Sequence, residues 1–499
     1  MFRDSCTNIY VLLSLAFVIV NLGTLSHQPP WIDEVMMLDT PYNMAVHGSW
    51  ETTAWYRVAG QHPFSTYPPL YQMSATVWIW LFGGCMLAVR SLNLLYTILL
   101  GGICLLLMKR HGLRLTPLSA ALFTLLLWGT GEMAWLYRNG RPDMLCALTF
   151  AFTILAIDRY LTAKSLAKHF AVIAASALLL CSGVQTSVYL CAVWLFSFVV
   201  AKGRRKEFGH LFMLLLTGIL LGMLLVSLFM LVHGRFVAFV SSIIQYSATL
   251  SGIALTVLPW TDGLFGFHSM PYTQKLLELS TESDIIDRLH SIAEHKSFVI
   301  LSMAALAAYA SCFRNRLRGL TTDKGFLMLL CALYVPFIMT IAGRYPTYYH
   351  WMAFLPLSVS VTSIAARHQF SCAVLTVVTL LLTVFGIKSM LPDSRWDYEN
   401  MRSFIGRQHF KSSDAVVCPF SVFYEMKSVC DTCYFVGIFP TEYMGHVDYI
   451  IEAPEGNEFD RRITSYVNHL KKDTTVVLTT IDYCEHPSLT LYQVQTKHE

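Results

Sequence analysis

Two adjacent carboxylates, Asp33 and Glu34, stand just beyond the first apolar run, in Pro29-Pro30-Trp31-Ile32-Asp33-Glu34. Carboxylates this near a hydrocarbon boundary are costly unless they have partners or a reaction to serve. The same pair also fits an ordinary solvated loop, and position alone leaves both readings open. The chemistry within a carboxylate's reach is removal of a proton from a hydroxyl. Downstream come Trp50, Trp55, Tyr56, Arg57 and His62, then Ser65-Thr66-Tyr67-Pro68-Pro69-Leu70-Tyr71, then Ala88-Val89-Arg90-Ser91-Leu92. Two more arginines lie between apolar runs, in Arg141-Pro142-Asp143 and in Gly343-Arg344-Tyr345-Pro346-Thr347-Tyr348-Tyr349-His350-Trp351. An arginine fork bonds phosphate oxygens in pairs. Arg344 equally fits an interface anchor beside Tyr345 and Trp351. Arg141 and Asp143 fit a mutual pair bracing the start of a span, and Arg57 and Arg138 fit contact with lipid headgroups.

The elements that must position these residues are membrane helices. The 499 residues are 55% hydrophobic and 14% charged, with mean hydropathy +0.50, and the apolar residues fall in many separate long runs. That is the composition of a multi-pass membrane protein. Net charge is +4, with Lys and Arg in short clusters between runs, which are topology signals and exclude a nucleic-acid surface. The run 8–25 lacks a small-x-small cleavage site and reads as a retained anchor. Further spans are expected at 90–108, 117–130, 144–161, 169–182, 186–200, 211–232, 298–313, 326–343, 352–366 and 371–389, about eleven helices in all.

Segment 70–86 is apolar enough to cross but has prolines at its start and glycines near its end. If it does not cross, the clusters at Lys109-Arg110-Arg114, Lys164-Lys168, Lys202-Arg204-Arg205-Lys206, Arg314-Arg316-Arg318-Lys324 and Arg367 all share the amino-terminal side, as the positive-inside bias requires. It is therefore expected to lie along the interface, with Trp78 and Trp80 at headgroup depth. Residues 1–389 then form a transmembrane domain with exterior loops 26–89 and 233–296, and 390–499 form an exterior α/β domain hung on the last span. Its strand-like runs are 415–420, 434–438, 447–451, 474–480 and 489–493, with a helix near 460–470.

The acidic pair after the first helix, Pro68-Pro69-Leu70-Tyr71 leading an interfacial helix, Arg90-Ser91-Leu92 opening the next span and Arg141-Pro142-Asp143 together resemble the polyprenyl-phosphate-dependent glycosyltransferases of the C-type fold, which include protein O-mannosyltransferases and lipid A aminoarabinose transferases. The resemblance extends to the layout of nearly the whole chain. It implies a donor sugar on a polyprenyl phosphate, a hydroxyl-bearing acceptor (lipid, glycan or protein), Asp33 as general base, and Glu34 orienting the acceptor or adjusting the charge of the site. It also implies donor-phosphate contacts from Arg344, Tyr348, Arg141 and Arg57, and a pocket that includes His62, Tyr67 and Asp143. Relatives commonly carry Lys or His directly before the Pro-Pro step, where this chain has Tyr67, and His62 is a candidate substitute. An exterior site fits a lipid-carried donor, because nucleotide sugars are cytoplasmic.

An oligosaccharide ligase would use the same site and stays open. A transporter or flippase of a lipid-linked substrate is the rival class, but the chain shows no repeated halves and few charges within its spans. Motifs for nucleotide hydrolysis, zinc proteolysis and esterase chemistry are absent from the sequence. No cofactor is required; a divalent ion (Mg or Mn) is open, with Asp39, Asp143 and Asp262 as scattered further ligands to the acidic pair. Cys418, Cys430, Cys433 and Cys484 are expected to form disulfides in an exterior compartment. The sequence contains no Asn-x-Ser/Thr acceptor, which points to a bacterial inner membrane with the active site outside the cytoplasm.

Overall fold

The computed structural model describes residues 4–52, 67–113, 115–200, 205–237, 239–240, 290, 292–312, 322–341, 347–391, 396–435, 446–456, 461–473 and 475–496. Its membrane domain contains α1 (Ser5–Leu22), α2 (Ile32–His47), α3 (Leu70–Phe82), α4 (Met86–Arg110), α5 (Pro117–Gly129), α6 (Gly131–Arg138), α7 (Asp143–Thr162), α8 (Leu166–Ser182), α9 (Val184–Val200), α10 (Arg205–Val232), α11 (Lys296–Cys312), α12 (Lys324–Ile341), α13 (Trp351–Ala365) and α14 (Gln369–Met390). Among the described residues α1, α4, α7, α10 and α14 are long and apolar enough to cross a bilayer, and α5, α8, α9, α11, α12 and α13 are shorter apolar helices. Each lies on one of the expected spans, and the protein is a multi-pass helical membrane protein.

Helix boundaries follow local chemistry. Pro29 and Pro30 cannot continue α1. α2 starts after them with Asp33 and Glu34 in its first turn, where carboxylates suit the helix dipole. α2 ends at Gly48, whose φ of 68° is the left-handed C-cap conformation. Thr116 and Ser119 cap α5 reciprocally ahead of Pro117. The run 117–130 is followed by an unexpected helix, α6, because Thr130 is extended between Gly129 and Gly131. Segment 70–86, expected at the interface, contains α3, 13 residues long. At 1.5 Å per residue it spans about 20 Å, short of the roughly 30 Å hydrocarbon core. It buries Tyr71, Ala75 and Ile79 and exposes Trp80, while Trp78 Nε1 donates to Ala88 O at 2.8 Å.

Beyond α14 come α15 (Tyr398–Arg407), β1 (Ala415–Val417), α16 (Phe423–Val429), β2 (Thr432–Tyr434), β3 (Tyr449–Glu452), α17 (Arg461–Leu470), β4 (Val476–Cys484) and β5 (Leu489–Thr496). The five strands form one sheet in the order β2-β1-β3-β5-β4. β1 pairs in parallel with β2 and β3, whereas β5 pairs antiparallel with β3 and β4. Strand residues alternate between two cores. Val417, Ile450 and Tyr492 pack with Ile463 and Val467 of α17, while Val416, Ile451 and Leu491 join the apolar core that runs on through the membrane helices.

Beyond hanging on the last span, this part of the chain packs against α2, with Phe423 of α16 edge-on to Tyr42 at 6.3 Å. The expected disulfides also give way. Cys418, Cys430, Cys433 and Cys484 are buried free thiols. Cys430 Sγ donates to Lys411 O at 3.7 Å and Cys433 Sγ to Cys430 O at 3.6 Å, and Cys484 sits on the edge strand opposite β2.

Candidate active site

Consecutive residues on a helix are about 100° apart, so the first turn of α2 sends its two carboxylates in different directions. Asp33 is partly exposed, with 25% of its side chain accessible. It forms an ion pair with Arg141 Nη1, and Arg141 is itself 1% exposed. Arg141 Nε donates to Asp143 Oδ2 at 2.8 Å, so the guanidinium bridges two carboxylates. Its faces are covered by Tyr348, 4.1 Å from the ring centroid, and by Trp31 at 5.4 Å. Burial works against this charge, but Asp143 and Asp33 more than reverse it and keep the guanidinium protonated. The Nη2 atom is buried without a hydrogen-bond partner among the described residues.

The segment bearing Arg141 approaches α2 closely because residue 140 is glycine. A Cβ there would stand 2.3 Å from Leu38 Cδ1 and 2.9 Å from Glu34 Cγ. Asn93 of α4 anchors the segment from the other side, its Nδ2 donating to Arg141 O at 2.9 Å and also to Asn139 O.

Glu34 points inward and is fully buried. Arg90 holds it in a fork, Nε to Oε1 at 2.7 Å and Nη2 to Oε2 at 2.8 Å. Tyr424 of α16 donates to Oε1 at 2.6 Å. Arg90 also donates to Leu25 O at 2.6 Å, Gln28 O at 2.9 Å and Pro29 O at 3.3 Å, which fixes the turn between α1 and α2. The Glu34 oxygens are occupied by protein donors and enclosed, which ties the first turn of α2 to α4 and α16. Arg141, expected at the donor phosphate, directs two donors at carboxylates, Asp33 and Asp143.

Asp39, one of the candidate metal ligands, is buried between Lys427 Nζ at 3.1 Å and Thr52 Oγ1 at 2.7 Å. An ammonium in its coordination shell leaves Asp39 unsuited to a divalent ion. Among the described residues no cluster of three acidic, His or Cys side chains has a metal-binding arrangement. Arg57, His62, Arg344 and Asp262 lie outside the described residues. Tyr67 and Tyr348 both lie near Arg141.

Arg90, Tyr424 and Lys427 are the site residues that sequence reasoning missed. In the sequence pattern Arg90 stands only as the opening of a span, with no role of its own. A signal for it existed, since a charged residue inside an apolar helix requires a partner. Nothing local marks Tyr424 or Lys427.

No protein-family model matches the chain, and no curated protein matches it in sequence. Solved structures do match it. The oligosaccharyltransferase of Archaeoglobus fulgidus in its apo form is similar at TM-score 0.52 and 13% identity, over 91% of this chain and 70% of that one. The archaeal oligosaccharyltransferase AglB from the same organism, in complex with an inhibitory peptide and a dolichol-phosphate, is similar at 0.50 and 12%, over 90% and 69%. ArnT from Cupriavidus metallidurans bound to undecaprenyl phosphate is similar at 0.49 and 12%, over 97% of both chains. The chain has the C-type glycosyltransferase fold.

Proposed function

We propose that the protein transfers a sugar from a polyprenyl-phosphate-linked donor to a hydroxyl acceptor, with inversion, on the non-cytoplasmic face of a bacterial inner membrane, and that Asp33 is the general base. The observation that carries this reading is the exposure of Asp33, while Glu34, Asp39 and Asp143 are enclosed with cationic partners. The acceptor oxygen attacks the anomeric carbon, the bond from that carbon to the phosphate oxygen breaks, and the acceptor proton passes to Asp33. A positioned base contributes roughly 10²- to 10⁴-fold. The lipid phosphate departs as an anion and needs positive charge or hydroxyl donors nearby, a role for Arg344 and Tyr348. AglB, whose fold this chain shares, binds a dolichol-phosphate, which supports a lipid-phosphate donor.

No metal is required in this reading, because Arg141 already balances Asp33. Chelation with EDTA is expected to leave the rate unchanged. The direct test is Asp33→Asn in purified, reconstituted protein given lipid-linked sugars. Loss of product with an unchanged elution profile is expected, and near-normal transfer by this variant rules the assignment out. The mass added to the acceptor distinguishes a single sugar from a ligated oligosaccharide.

A further inference from the structure

We infer that the exterior domain is a working part of the active site: α16, through Tyr424 and Lys427, is the positioning element that sets the orientation of Asp33. The inference rests on Asp33 being the base, as proposed above.

Tyr424 and Lys427 are three residues apart, hence on one face of α16, and both reach α2, the helix that begins beside Asp33. Tyr424 contributes its hydroxyl to Glu34 Oε1 at 2.6 Å, next in sequence to the base. Lys427 pairs with Asp39 at 3.1 Å, six residues after Asp33 on the same helix. Both contacts are buried: Glu34, Lys427 and Asp39 have no exposed side-chain surface, and Tyr424 is 1% exposed. Two polar clamps of this kind, spaced along one helix, fix its rotation and its translation together. An apolar contact alone would fix neither as sharply, because apolar packing has little directionality.

The clamps bear on the reaction through geometry. Asp33 stays exposed only while α2 keeps Glu34 turned inward. Its partner Arg141 is held independently, by Asp143 and by Asn93. A small rotation of α2 therefore moves Asp33 relative to a fixed guanidinium and to the acceptor hydroxyl. Misplacement by about 1 Å is enough to cost roughly 10²-fold in rate. The expected signature is a loss in kcat with donor KM preserved, since Tyr424 and Lys427 are both buried away from any substrate.

Full-length protein in detergent or liposomes provides the test. Tyr424→Phe keeps the ring and removes the hydroxyl. Asp39→Asn with Lys427→Met removes the second clamp while leaving no unpaired charge. Each is expected to lower kcat at least tenfold, with donor KM within twofold of the parent and a displaced pH–rate profile. Tyr492→Phe is the control: it removes a comparable buried tyrosine hydrogen bond, to Glu452 at 2.9 Å, on the far side of the same domain, and is expected to keep kcat. Parental kcat in either clamp variant overturns the inference, as does an equal loss in Tyr492→Phe. An inactive Asp33→Asn beside fully active clamp variants sinks the inference and spares the proposed function. An active Asp33→Asn sinks the proposed function itself.

Discussion

Asp33 and Glu34 are consecutive residues of α2 and each is paired with an arginine, yet Asp33 keeps 25% of its side chain exposed while Glu34 keeps none. Glu34 accepts from Arg90 twice and from Tyr424 once, through donors that come from two distant regions of the chain. Asp33 accepts only from Arg141 among the described residues. A carboxylate saturated with protein donors is a structural joint. One held by a single edge keeps an oxygen direction for an acceptor's proton. The division of labour follows from burial and donor count, although the two side chains have the same chemistry.

The contrast predicts opposite phenotypes. Asp33→Asn is expected to reduce transfer by about 10²- to 10⁴-fold while Tm in detergent stays near the parent's, measured by turnover and by differential scanning fluorimetry. Glu34→Leu is expected to destabilise by roughly 3–5 kcal/mol, because it leaves the Arg90 charge buried and unbalanced. Adding Arg90→Met to Glu34→Leu should restore most of that loss, as a buried ion pair replaced by apolar groups of similar volume is often neutral. If Glu34→Leu folds normally, Glu34 is not the joint described here.

Gly140 tests the closeness of the approach on the Asp33 side. Gly140→Ala places a methyl group 2.3 Å from Leu38 Cδ1, beside Glu34. Leu38 is fully buried, so the segment bearing Arg141 must shift. The expected cost is about 1–3 kcal/mol, typical of overpacking, with a drop in kcat out of proportion to the change in Tm. A variant with parental kcat and Tm would mean that the segment yields without moving Arg141.

Much of this arrangement is legible in the sequence because the bilayer imposes it. Apolar runs near twenty residues reveal the spans. Asp33, Arg141 and Asp143 were legible too, as charged residues beside prolines at span ends. α6 left a weaker trace, in the glycines either side of Thr130. The clamp was not legible. Tyr424 lies 390 residues from Glu34, and no local pattern encodes contact over that distance. Lys427 sits in an ordinary polar helical turn, and only the docking of α16 on α2 buries it. The pairing of Arg141 with Asp143 was one of the open alternatives, and its simultaneous grip on Asp33 depends on an approach that Gly140 makes sterically available.

Glu425, beside Tyr424 on α16, sharpens the comparison with the smallest expected effect. It is 8% exposed, its Oε2 is buried without a hydrogen bond, and it has no ion pair among the described residues. Burial pushes its carboxyl above the usual range, against a hydrogen bond from Tyr398 that pulls it down. The folded protein therefore binds this proton more tightly than the unfolded chain does. The stabilisation is complete below the unfolded carboxylate value near 4.3 and is lost as pH rises through the folded one. At neutral pH the buried anion is a net destabilising feature. Glu425→Gln keeps an acceptor for Tyr398 and removes the charge, so Tm should rise by about 1 °C at pH 7.5 and the gain should shrink toward pH 5. Glu34→Gln is expected to act in the opposite direction, because Arg90 would lose its counter-charge. Should both glutamine variants shift Tm the same way, burial alone would govern these carboxylates and the cationic partner of Glu34 would not matter.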